Sequence, residues 1–65
     1  MYKPPDHYLQ IVQLLADDNY VKEIADKLKI SETNITRKIF YMKQHINIHS
    51  SYGLVAYCLR NGFIK

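Results

Sequence analysis

The sequence predicts an all-α fold of four short helices. Three observations carry that expectation. Apolar residues recur at three- and four-residue spacing, capping residues stand at the breaks between these stripes, and no stretch alternates apolar and polar residues over the length of a strand. The 65 residues are enough for one domain, and a composition that is 48% hydrophobic can supply its core. A chain this short buries a modest share of its surface and has modest stability.

Residues 1–5 read as a loose lead-in, because Pro4-Pro5 favours an extended approach. The first helix begins with Pro5 in its first turn or Asp6 as its cap and runs to about Asp17. Its inward face is Tyr8, Ile11, Val12 and Leu15, with Leu14 at the edge. Asp17-Asp18-Asn19 stops it, since carboxylates at a helix C-terminus oppose the dipole and all three residues favour turns. The second helix enters through Asn19 or Tyr20, of which Asn19 is the better cap. Val21, Ile24, Ala25 and Leu28 form its apolar stripe, and Glu23 with Lys27 makes a surface pair four residues apart.

A break at Lys29-Ile30-Ser31 follows. Ser31 caps the third helix and Glu32 suits its first turn. Ile35, Ile39, Met42 and Ile46 face inward along a helix that continues to Gln44 or His45. Asn47 breaks the run and Ile48 tucks the connection into the core. His49-Ser50-Ser51 opens the fourth helix with Ser50 as cap, Gly62 terminates it, and Phe63-Ile64 folds back on it. Leu54, Val55, Tyr57, Cys58 and Leu59 spread apolar surface over more than one face of that helix. One face serves the core, and a second, around Val55 and Cys58, is an expected contact with another copy of the chain.

Composition narrows the function. A single cysteine excludes an internal disulfide and a cysteine-based metal site, and Cys58 in its apolar run reads as a buried small hydrophobe. No apolar segment approaches the roughly 20 residues that span a bilayer, and MYKPPDHYLQ lacks the apolar core of a signal peptide. The cytoplasm is the expected compartment, with no membrane partner. Among His7, His45 and His49, only the last two are four apart, and a helix break lies between them with no third ligand, so no metal site is expected. A capping or core-edge role suits His49. Two glycines cannot build a phosphate-cradling loop, and no catalytic constellation or cofactor site is legible. The chain does not read as an enzyme.

Charge is unevenly spread. Residues 1–32 carry a net charge of −2, whereas residues 33–65 hold Arg37, Lys38, Lys43, Arg60 and Lys65 without an acid. A polyanion would meet the second half. A short helix, a tight turn and a longer helix with polar and basic residues outside is the grammar of the helix-turn-helix, whose second helix enters the major groove of DNA. Thr33, Asn34, Thr36 and Arg37 cluster near the start of that helix, where arginine can bond to guanine and asparagine to adenine. Lys38 suits the phosphate backbone, as do Ser31 and Lys43. Six tyrosines suggest stacking on single strands, but Tyr8 and Tyr57 sit at core spacing.

The run KEIADKLKISETNITRKI, continued by IHS, LV and YCLRNGFI, resembles the LuxR-type (GerE-like) helix-turn-helix domain of bacterial transcription regulators, without a gap from about Ile11 to Ile64. Leu14-Leu15-Ala16 resembles the end of that family's first helix, Lys22-Glu23-Ile24-Ala25 its KEIA segment and Leu28-Lys29-Ile30-Ser31 its L-G-I-S turn. His49-Ser50, Leu54-Val55, Tyr57, Leu59-Arg60 and Gly62 match its closing helix. The resemblance implies a domain over residues 6–65 that binds double-stranded DNA, a third helix over about 32–45 in the major groove, and a fourth helix that forms a homodimer on inverted repeats. It also implies a role in transcription regulation, RNA polymerase as a further partner, and a place behind a receiver domain, as in response regulators, or a ligand-binding domain. By position, Thr36 and Arg37 stand where the family often has base-facing lysine and valine, and Lys38 stands where histidine is common. Asn34 replaces a common threonine, and Lys22 lies near the DNA backbone. Phe40 takes a position that is often polar or basic and is counted with the base-facing residues.

The departures are Pro5-Asp6 for the usual T-P opening, Lys29 for the glycine of the turn, and Gly53 for a first-turn glutamate. Lysine holds a left-handed conformation only at a cost. Two alternatives share the scaffold: the fourth region of a sigma factor, and a protein-interaction module that does not bind DNA.

Overall fold

A computed structural model describes all 65 residues as four helices: α1 (Asp6–Ala16), α2 (Val21–Leu28), α3 (Glu32–His45) and α4 (Ser51–Arg60). The all-α, four-helix expectation holds. α1 and α3 each pack against all three other helices, while α2 and α4 do not touch. The core therefore lies along α1 and α3, with α2 and α4 closing it from different sides.

The buried side chains follow the helical spacing. Ile11 and Val12 of α1, Ile24 and Ala25 of α2, Ile35, Ile39 and Met42 of α3, and Leu54 and Cys58 of α4 form one cluster, completed by Leu9 and Ile64. Leu9 takes the place expected of Tyr8 and Leu15, which are half-buried at the margin, and Ile46 is half-buried as well. Cys58 has no exposed surface, so it belongs to the core and is withdrawn from the expected contact between copies.

The helix starts are partly as expected. Ser31 Oγ accepts the Asn34 N–H and Ser50 Oγ accepts the Gly53 N–H, each at 3.1 Å. α1 starts with Pro5 in the cap position and no side-chain cap, its carbonyl taking the amides of Tyr8 and Leu9. Asn19 does not cap α2. Tyr20 occupies that position and donates its N–H to Glu23 Oε1 at 2.7 Å. Asn19 instead bridges, donating to the Leu14 carbonyl and accepting from Lys27 Nζ at 2.7 Å. The expected Glu23–Lys27 pair is therefore absent, because both partners are engaged elsewhere. His49 is exposed and leaves the capping to Ser50.

All four helices end the same way. Asp18, Lys29, Asn47 and Gly62 have φ of 69°, 61°, 56° and 71°. The residue after each donates its amide five residues back, Asn19 to Leu14, Ile30 to Ala25, Ile48 to Lys43 and Phe63 to Cys58. These bonds satisfy carbonyls that a helix end would otherwise leave open. Lys29 thus keeps the turn geometry at the conformational cost a side chain carries there. Gly53 is small for a different reason: a Cβ there would lie 2.5 Å from Ile48 Cγ2, so the methyl that fills the α3–α4 connection occupies the space.

Residues 1–5 are packed rather than loose. Pro4 is fully buried, and the Tyr2 ring stacks on His45 with centroids 4.4 Å apart. Tyr57 Oη donates to the Tyr2 carbonyl at 2.6 Å, and Lys3 Nζ lies 5.7 Å from the Phe63 ring. At the other terminus the Gln13 amide exchanges two bonds of 2.9 Å with the backbone of Lys65. The Tyr2 hydroxyl is buried without a hydrogen-bond partner. Burial pushes its pKa above the usual tyrosine value, helped by Tyr41, Tyr8, Cys58 and Tyr57 nearby.

A candidate nucleic-acid interface on the third helix

Because α3 buries Ile35, Ile39 and Met42, the residues half a turn away must face solvent. Thr33, Thr36, Arg37 and Phe40 are all exposed, and their spacing of three and four residues makes them one continuous strip. With Glu32 they line a shallow depression. A second depression, lined by Phe40, Lys43, Gln44, Asn47, Ile48 and His49, continues it toward the C-terminal end of the helix.

The strip is chemically mixed. Arg37 supplies a planar fork of donors, the threonines supply hydroxyls and methyls, Phe40 supplies an apolar ring, and Glu32 supplies a carboxylate acceptor. Glu32 and Gln44 were not among the candidate residues. Gln44 was within reach of sequence reasoning, since it lies four residues beyond Phe40 on the same face. Ser31 Oγ accepts the Asn34 amide and keeps its own O–H to donate outward. Lys22 is exposed in the first turn of α2, and Lys43 is half-buried beside Phe40.

Asn34 and Lys38 stand apart from this strip. Lys38 Nζ donates to Asn34 Oδ1 one turn earlier, and it sits 5.5 Å from the Tyr8 ring on α1. Both are half-buried and serve the α1–α3 contact. Val55 is half-buried against the core on α4. Its outward neighbours are Tyr52, Ala56 and Leu59, with Tyr52 89% and Leu59 46% exposed. No group of three His, Cys, Asp or Glu side chains is arranged to hold a metal ion. No helix is long and apolar enough to cross a membrane.

Residues 8–58 match the family of bacterial regulatory proteins, luxR family (GerE). The chain belongs to the luxR family. The match runs from the first turns of α1 to the buried cysteine of α4 and so takes in the whole helix-turn-helix and its support. Membership of this family makes the domain a regulatory one rather than a catalytic one, and its fold is one suited to DNA binding. No curated protein matches the chain.

Proposed function

We propose that this luxR-family domain binds specific double-stranded DNA in the cytoplasm to regulate transcription, with α3 in the major groove. The observation that carries the reading is the unbroken exposed strip Thr33–Thr36–Arg37–Phe40 on the helix that follows the turn. At about 1.5 Å per residue the strip is about 10 Å long, which matches about three base-pair steps of about 3.4 Å. Arg37 is the base reader, bonding to guanine O6 and N7, with Thr33 and Thr36 beside it. Lys22, Ser31 and Lys43 take phosphates. Asn34 and Lys38 are left out of the proposed contact set because they bond to each other beside the Tyr8 ring, off the strip.

We also propose that two copies meet on DNA through the outer face of α4. That face is the apolar stripe Tyr52, Val55, Ala56 and Leu59, spaced as one side of a helix.

The test is selection of duplexes from a random pool, followed by anisotropy titrations at several salt concentrations. Arg37→Ala costs about 1–3 kcal/mol on the selected duplex and relaxes preference at one base pair. Lys22→Ala and Lys43→Ala weaken selected and scrambled duplexes alike, each reducing the salt dependence by about one phosphate. Equal losses on both duplexes for Arg37→Ala would take it off the base-reading strip. A folded protein that enriches no sequence and shows no salt-dependent binding would end the DNA reading.

A further inference from the structure

Phe40 is 56% exposed at the C-terminal end of the α3 strip and lines both depressions. The fold does not use its ring. It joins none of the aromatic pairs, which involve Tyr2, Tyr8, Tyr41, Tyr57, Phe63 and two histidines, and neither lysine that lies over a ring chooses it. It is also outside the core cluster and the half-buried side chains packed on that cluster. An unpartnered aromatic ring therefore stands one turn beyond Arg37 on an otherwise polar face.

The major groove presents one apolar group on a base edge, the thymine 5-methyl. We infer that Phe40 selects thymine, and that this thymine lies one base-pair step from the base bonded by Arg37. The inference rests on the placement of α3 in the major groove. Three residues of helix separate Arg37 from Phe40, a rise of about 4.5 Å, which corresponds to about one step of about 3.4 Å along the duplex. Cytosine is the disfavoured alternative at that step. It lacks the methyl, so the ring gains no apolar contact there.

The full chain is titrated against its selected duplex and against the same duplex with each thymine replaced singly by deoxyuridine, which removes the methyl and keeps the pairing. For the unaltered protein, one such replacement weakens binding about three- to fivefold, the affinity carried by one buried methyl. Phe40→Ala, whose thermal melt verifies that the exposed position is not needed for folding, binds the two duplexes equally. Thr36→Ser, which deletes the methyl of the nearer of the strip's two threonines, keeps the discrimination. Indifference of the unaltered protein to every deoxyuridine overturns the inference, as does a deoxyuridine effect that survives Phe40→Ala or disappears in Thr36→Ser. In each of these cases the selected duplex is still bound and the DNA reading stands. Failure to bind any duplex at any salt concentration overturns both.

Discussion

The Tyr57 hydroxyl has a partner in the Tyr2 carbonyl, and the Tyr2 hydroxyl has none. Removing the same atom from the two neighbours therefore has opposite consequences. Tyr57→Phe loses a hydrogen bond and costs about 0.5–1.5 kcal/mol, whereas Tyr2→Phe relieves an unsatisfied buried group and gains about 1 kcal/mol. Urea melts of the two variants check the signs, and a loss in Tyr2→Phe would contradict the account. The pH dependence follows from the same burial. The Tyr2 phenol is raised above its ordinary value of 10.0, so the unfolded chain ionises first. The stabilisation is present below that value and is lost as the pH rises through the higher folded value. Tyr2→Phe removes this contribution to alkaline unfolding.

At the scale of the element, the feature shared by all four helices is the left-handed residue at the C-terminal end, which only α4 fills with glycine. A side chain there costs about 1–2 kcal/mol, partly offset because glycine gives the unfolded chain about 0.4–1 kcal/mol more conformational freedom. Lys29→Gly is therefore expected to stabilise the domain by about 0.5–1 kcal/mol in denaturant melts. A variant less stable than the parent would show that the lysine stem is worth more than its backbone costs. The helices themselves were legible because each buried stripe has one period and each break carries a turn former. The α2 cap is not Asn19 because its side chain is taken by the Leu14 carbonyl five residues back and by Lys27 eight residues on, partners that helix-cap patterns do not encode. On α3, the exposed strip could be read from spacing alone. The four-residue spacing of Asn34 and Lys38 was equally visible, but the Tyr8 ring that draws Lys38 inward comes from another helix.

At the scale of the whole molecule, α2 and α4 lie apart, so the apolar outer face of α4 is free of contacts with α2. On the selected inverted repeat, sedimentation is expected to find two proteins per duplex, and one when Leu59→Asp puts a charge on that face. A single copy of the unaltered protein at saturation would rule out pairing through α4. Leu59 is the better site than Val55 for this test, because Val55 also packs on the core. The packing of residues 1–5 was invisible in the sequence for a related reason. Tyr57 meets Tyr2 across 55 residues, and Gln13 meets Lys65 across 52.

Those two clasps set an order of events during synthesis. Leu9, Ile11 and Val12 leave the ribosome before the side chains that cover them, which include Leu54, Cys58 and Ile64. At about 5–20 residues per second, the apolar face of the first helix waits several seconds for its lid. During that interval the nascent chain cannot yet close its core. Until then the apolar face of α1 stays uncovered by α4.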